Sequence, residues 1–291
     1  MKNKRPNAVI LYLSRSLPKD IADLKESLRL LCENFNNRFK YPVIIFHEDF
    51  DEKLIQEIRC SANSHIQFEK VKFEIPDFLN KDVVSAHPFS IGYRHMCRFF
   101  SGIVFQHPSL MDYDYYWRLD TDSFLLKNIN YDVFGFMQRN NYIYGYITIL
   151  KDPPEVVKNL WEATKKYIEE NKIKPTFLNK FIRNGCWERY YYYTNFEIGN
   201  LNFFRSNEYM EYFNYLDRLG GIYEYRWGDT PIHTLAISMF VPENQVHRFR
   251  DVAYRHQSYE NYLGFNIYSM KRISVKFAKF FHWLIGSKYI E

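Results

Sequence analysis

The pattern of apolar and polar positions changes period repeatedly along the first part of the chain. "NAVILYL" (Asn7 to Leu13) is a continuous apolar run of strand length, after which Ile21, Leu24, Leu28, Leu31 and Phe35 recur at helical spacing. "PVIIFH" from Pro42 reads as a second buried strand, "DEKLIQEIRC" from Asp51 as a short helix and "IQFEKVKFEI" from Ile66 as a third strand. This βαβαβ order predicts an α/β fold with a largely parallel sheet flanked by helices. In such sheets a ligand lies beyond the carboxyl ends of the strands.

Further on, "GYRHMCRFFSGIVFQH" (Gly92 to His107) predicts a helix, and "YYWRL" (Tyr115 to Leu119) an inner strand with Asp120 and Asp122 at its exit. "YIYGYITI" from Tyr142 predicts another strand. Pro154 to Asn171 predicts an amphipathic helix with Val157, Leu160, Ala163 and Tyr167 on one side. Lys172 to Arg189 reads as a polar connection. "NEYMEYFNYLDRLGG" reads as a helix closed by Gly220 and Gly221, where left-handed backbone is cheap. Asp229 is the expected N-cap of "TPIHTLAISMF", with Pro231 in the first turn. No internal repeat or low-complexity linker interrupts the pattern.

Composition narrows the class. With 291 residues, 46% of them hydrophobic, the chain can bury one large core, expected over residues 1–270, followed by a tail over 271–291. That tail, "KRISVKFAKFFHWLIGSKYIE", mixes bulky apolar residues with lysines. It reads as a terminal helix packed on the domain or a second subunit, or as an amphipathic helix making peripheral contact with an anionic membrane. The formal charge of +5 fits an anionic ligand better than nucleic acid, which is not expected as a partner. Cys32, Cys60, Cys97 and Cys186 show no paired C-x-x-C spacing, which argues against a cysteine zinc site. The apolar run Ala8 to Leu13 is too short for a membrane span or a signal peptide, so neither is expected within this chain, and the compartment stays open. No Gly-rich dinucleotide fingerprint or Walker-type loop follows Leu13.

The candidate chemistry begins with Asp120 and Asp122. Two carboxylates two residues apart at a strand exit can turn toward one hard cation, and Mn²⁺ or Mg²⁺ prefers such ligands with substrate phosphates completing the shell. Acids in surface turns are common, but the flanking "YYWRL" and "SFLL" frame these in apolar sequence, where unpaired charge is costly. In "TNFEIGNLNFFRS", Glu197 reads either as an exposed acid on a half-buried strand or as a carboxylate aimed at an oxocarbenium-like centre, with Asn195 or Asn200 fixing sugar hydroxyls. Asp229 and His233 read as cap and core residue or as site residues. His256 reads as a surface imidazole or as a nitrogen ligand completing a mixed oxygen–nitrogen site.

"IGYRHMCRFFSG", "YYWRLDTD", "NFEIGNLNFFRS", "GGIYEYRWGDTPIHTLAISMF" and "VHRFRDVAYRH" follow one another in an order and spacing that resembles glycosyltransferase family 15, the fungal α-1,2-mannosyltransferases that use GDP-mannose. The resemblance runs from about Asn7 to His256. It implies a single GT-A-like domain, Mn²⁺ dependence, retention of anomeric configuration, a GDP-mannose donor and a mannose-containing glycan acceptor. Carried over by position, it implies metal ligation by Asp120, Asp122 and His256 and a nucleophile or backside carboxylate at Glu197. It also implies active-site contacts at Tyr93 and Asp229. Arg15, Arg98, Asp120 and Asn195 are the expected contacts to the donor. Family members usually carry Glu-Pro-Asp where this chain has Asp120–Thr121–Asp122, and "QSYENYLGF" after His256 departs from the family's Pro- and Cys-containing continuation. The competing readings are a sugar-nucleotide nucleotidyltransferase, which releases pyrophosphate, and a catalytically inactive glycan-binding protein of the same fold.

Overall fold

A computed structural model of the chain describes residues 5–62, 64–79, 90–262 and 265–266. The expected opening pattern is present as β1 (Ala8–Leu13), α1 (Pro18–Leu31), β2 (Val43–His47), α2 (Glu52–Cys60) and β3 (Ile66–Lys70). After α3 (Ile91–Ser101) come β4 (Tyr115–Leu119), β5 (Ser123–Leu125), α4 (Val133–Arg139), β6 (Tyr144–Tyr146) and β7 (Ile149–Lys151). Helix α5 (Leu160–Glu170) leads to the short strands β8 (Ile182–Arg183), β9 (Cys186–Trp187) and β10 (Tyr190–Tyr192). Next are β11 (Phe196–Asn200), α6 (Asn207–Arg218), α7 (Asp229–Phe240), β12 (Val246–Arg248), β13 (Tyr254–His256) and β14 (Tyr259–Tyr262).

Seven strands form one sheet in the order β12-β6-β11-β4-β1-β2-β3. All neighbours run parallel except β11, which is antiparallel to both β4 and β6. The central strands are buried on both faces and therefore read as continuous apolar runs rather than alternating ones. Ile10, Tyr12, Ile45, Trp117 and Ile198 pack against α1 on one face. Val9, Leu11, Phe46 and Tyr116 pack on the other beneath α3, α6 and α7. Helix α7 is buried over nearly its whole circumference, which explains its continuous apolar sequence. A smaller antiparallel sheet, in which β13 lies between β14 and β5, stands at the exit of β4.

Local chemistry shifts several expected boundaries. The run from Tyr142 breaks into β6 and β7, which join different sheets. The helix expected from Pro154 is interrupted at Asn159, whose φ of 63° is left-handed, so a short 3-10 turn precedes α5. The α-helix expected to run to His107 ends at Ser101 and continues as a 3-10 turn from Ile103 to Gln106. Gly220, at φ 77°, does occupy the left-handed position after α6. Gly228, not Asp229, caps α7; Asp229 is the first helical residue and spends its carboxylate elsewhere. Cys32 and Cys97 are buried free thiols. Among the described residues no helix is long and apolar enough to cross a membrane. The tail over 271–291, with its expected membrane contact, lies outside the described residues.

Strand β11 tolerates no added bulk at Gly199, where a Cβ would sit 2.4 Å from Tyr116 and 2.6 Å from Phe204, both aromatic rings held in the core. Gly199→Ala is expected to cost about 1–3 kcal/mol by overpacking. Urea denaturation should show a lowered midpoint at unchanged slope.

Candidate active site

The site is assembled by register. The turn after β4 is closed by the Ser123 amide donating to the Asp120 carbonyl at 3.0 Å, which presents Asp120 and Asp122 at the carboxyl edge of the sheet. Phe196 pairs with Leu119 across the antiparallel step, so the preceding residue, Asn195, falls beside Asp120. In the smaller sheet His256 pairs with Ser123, the residue after Asp122. Three distant segments thereby meet with ligand atoms of Asp120, Asp122 and His256 all within 4.8 Å of one another.

The hydroxyl of Ser123 anchors this turn. It accepts from the Asp120 amide at 3.1 Å and bonds the Tyr254 hydroxyl at 2.7 Å and the Asn195 carbonyl at 2.9 Å. His256 is buried, with Nε2 2.9 Å from Asp122 Oδ1 and 3.7 Å from Asp120 Oδ2, while Nδ1 meets the Tyr193 hydroxyl. Asn195 Nδ2 donates to Asp120 Oδ2 and lies 3.2 Å from His256 Nε2. Burial opposes the ionised form of Asp122, but the bond and charge of His256 hold its carboxyl below the usual range.

Beneath the turn lies Arg118, 1% exposed. It sends Nε and Nη2 to Asp120 Oδ1 at 3.2 and 3.1 Å, and Nη1 to Asp229 Oδ2 at 2.5 Å and Thr194 at 3.3 Å. Its guanidinium carbon stands 3.7 Å over the Phe100 ring. Asp229, also bonded by the Thr194 hydroxyl at 2.6 Å, is buried, and burial alone would raise its pKa; the charge of Arg118 outweighs that and keeps it below the ordinary carboxylate range.

Glu197, on the same sheet face, is fully buried. Its carboxylate accepts from Tyr116 at 3.0 Å and Tyr144 at 2.9 Å and contacts His233 Nδ1 at 3.0 Å. It lies beside Arg118 in the β11–β4 pair, with both oxygens occupied. Tyr93 is partly exposed, its hydroxyl accepting from Arg226 at 2.8 Å while that guanidinium stands 4.8 Å over the ring. Arg226 holds a left-handed φ of 72°, a conformation costly for a residue with a Cβ and enriched at active sites and ligand clamps.

Two expected contacts, Arg98 and Asn200, fall elsewhere, whereas Arg15 stays at the carboxyl edge of the sheet. Arg98 is two residues from both Met96 and Phe100, which touch Arg118, and two residues is roughly 200° around a helix. It therefore points away, pairing its Nε–Nη2 edge with the Asp217 carboxylate at 2.8 Å and lining a separate groove with Phe73, His95 and Tyr223. Arg15 lies just past the carboxyl end of β1, largely exposed and paired with Asp20. Asn200 is at the far end of β11, where its side chain accepts from the Asn202 amide.

Sequence reading passed over Arg118, Thr194, Tyr193 and Asp152. Arg118 left one signal, a charge inside the apolar run "YYWRL". Asp152, after β7, has its pKa pushed up to about 7 by burial; Arg226 and Arg189 pull it down while Asp229 pushes it up.

A sequence model described as glycolipid 2-alpha-mannosyltransferase matches residues 1–283. The probable mannosyltransferase KTR3 of Saccharomyces cerevisiae is 34% identical over 279 residues, covering 88% of this chain and 68% of that protein. Glycolipid 2-alpha-mannosyltransferase 2 of Candida albicans is 34% identical over 282 residues, covering 89% of this chain but 60% of its own length. Core-mannan synthase A of Aspergillus fumigatus, solved in a Mn/GDP form, superposes with a TM-score of 0.82 at 30% identity, over 90% of this chain and 77% of that one. The mannosyltransferase Ktr4p of S. cerevisiae in complex with GDP gives 0.82 at 30% identity, over 88% and 72% of the two chains. The mixed, mostly parallel sheet flanked by helices is the GT-A-like architecture expected from the motifs. The chain belongs to the glycolipid 2-alpha-mannosyltransferase family of glycosyltransferases.

Proposed function

We propose that this chain transfers mannose from GDP-mannose to a mannose-containing glycan, forming an α-1,2 linkage with retention of configuration. The observation that carries this reading is the convergence of Asp120, Asp122 and His256 at the carboxyl edge of the sheet in a chain of this family. The names of its relatives, mannosyltransferases, and the Mn/GDP form of core-mannan synthase A point the same way.

The donor set of two carboxylates and one imidazole fits Mn²⁺, with Mg²⁺ as the harder alternative. When bound there, the ion supplies Lewis-acid neutralisation of the departing diphosphate. The chain's own residues prepare the site. The Tyr193 hydroxyl at Nδ1 fixes the imidazole so that Nε2 faces the two carboxylates. Arg118 and Asn195 each hold one oxygen of Asp120. Asp229, locked by Arg118 and Thr194, and Tyr93, at the rim with Arg226, are the contacts to the sugars. Arg15, beyond β1, is the contact to the donor nucleotide. Complete burial and three bonded neighbours favour an electrostatic role for Glu197, exerted beside Arg118, over direct attack on the anomeric carbon.

With Mn²⁺ and a mannoside acceptor, GDP-mannose is expected to yield GDP and an α-1,2-linked product, read by nucleotide chromatography and linkage analysis. Release of pyrophosphate would reassign the chain as a nucleotidyltransferase. Glu197→Gln is expected to abolish transfer while GDP with Mn²⁺ still raises the melting temperature; transfer at the wild-type rate would remove its catalytic role.

The Arg118–Asp229 pair generates a pH prediction. Asp229 has a folded pKa below its unfolded one, so its contribution is present above the unfolded value, about 4, and is lost as pH falls through the depressed folded value. Asp229→Asn leaves the buried guanidinium short of a counter-charge. It is expected to cost about 3–5 kcal/mol near neutrality and to flatten the acid limb of the stability curve, measured by denaturation at stepped pH.

A further inference from the structure

Glu197 and Arg118 sit directly opposite each other in the antiparallel β11–β4 pair, on the same face of the sheet. Opposed side chains in such a pair have their Cβ atoms about 5 Å apart, so the two charges attract. Nevertheless the guanidinium bonds Asp120 and Asp229, and Glu197 is held by other donors. An unsatisfied carboxylate at Glu197 would compete for Arg118 and draw it off Asp120.

The proton inventory shows what prevents that. His233 is fully buried, with Nε2 3.0 Å from the Phe100 carbonyl oxygen, which can only accept; Nε2 therefore carries hydrogen. Its Nδ1 stands 3.0 Å from Glu197 Oε2, where two bare lone pairs would repel, so a proton lies between them. Whichever atom holds it, the pair has no net charge. The Tyr116 and Tyr144 hydroxyls donate to Oε1 and Oε2 respectively, so each carboxylate oxygen has a partner. Phe105, Phe204 and Tyr209 close around the imidazole ring.

We propose that His233 is a positioning residue for the transfer reaction: by occupying Glu197 it leaves Arg118 free to hold Asp120, and through Asp120 it sets the geometry of the metal and diphosphate site. The inference rests on the reading of Asp120, Asp122 and His256 as a metal site and deepens it. His233→Leu takes away the neutralising group, after which Glu197 recruits Arg118 and Asp120 loses its clamp. His233→Asn retains an N–H near the Nδ1 position.

The test measures Mn²⁺-dependent GDP binding to the full chain by calorimetry, with a melting curve for each variant to establish that it is folded. Wild type is expected to bind. His233→Leu is expected to lose affinity by about tenfold or more, as outer-sphere changes at metal sites do, and His233→Asn to stay within about threefold of wild type. In the double variant Glu197→Gln/His233→Leu, the competing charge is gone, and affinity is expected to return to that of Glu197→Gln alone. A purely structural role for His233 predicts no such rescue. Wild-type affinity in folded His233→Leu, or no recovery in the double variant, overturns the proposal. Should His233→Leu not fold, Tyr116→Phe/Tyr144→Phe strips two donors from Glu197 with little change of shape, and unchanged affinity there overturns it equally. Failure of wild type itself to bind Mn²⁺ and GDP would instead remove the metal-site reading on which the inference stands.

Discussion

The buried guanidinium of Arg118 is the constraint on which the site depends. Moving a charge into the middle of a sheet costs several kcal/mol unless it is fully paired, and here both faces of that requirement are met by functional groups. Asp120 and Asp229 take the hydrogen bonds, and the Phe100 ring takes the flat side. Lysine could not substitute, because a point charge with a flexible stem offers neither the fork that reaches two carboxylates nor a plane to stack on an aromatic ring. Solvation of one arginine therefore fixes two acids from separate parts of the chain. The acid at the strand exit and the acid at the start of α7 are located by the same electrostatic debt.

The reversed strand β11 makes this arrangement geometrically available. In a uniformly parallel sheet, the neighbour of β4 would present its own carboxyl end beside Asp120. Because β11 runs the other way, its amino end lies there instead, and Thr194 and Asn195 enter the site from the approach to the strand. Two residues beyond Asn195, Glu197 faces Arg118. The smaller sheet performs the matching service for His256 by pairing it with Ser123. Two antiparallel pairings thus replace the single loop that many metal motifs use.

This also explains which features were legible in the sequence. The opening βαβαβ pattern was readable because each element carries its own period, from the apolar run of β1 to the helical spacing of Ile21, Leu24 and Leu28. The pairing of Asp120 with Asp122 was readable because it is local. Residue chemistry left His256 open between a surface imidazole and a ligand, and resemblance to a family chose the ligand, since the register of β13 on β5 is a tertiary property with no periodic signature. Glu197 was visible as an acid among aromatics, but its burial was not: burial is set by Tyr116, Tyr144 and His233, which come from three other elements. Asp229 looked like a helix cap because aspartate at such a position usually is one. The stronger demand of Arg118 claimed the carboxylate, and Gly228 took the cap position. Arg98 was misplaced for a simpler reason, since composition does not say which side of α3 faces the sheet.

The departure from Glu-Pro-Asp at Asp120–Thr121–Asp122 is accommodated by this same framework. Proline would stiffen the turn through a fixed φ, and threonine provides no such restraint. Here the rigidity comes from Ser123, whose hydroxyl ties the Asp120 amide to Tyr254 and to the Asn195 carbonyl, while the Ser123 carbonyl accepts from Ser27 on α1. The Asp120 carboxylate also stands against the guanidinium of Arg118, two residues earlier in the chain. The guanidinium and the Ser123 hydroxyl network together hold the turn close to the strand that carries it, so the restraint on the two acids comes from side chains rather than from the backbone of residue 121.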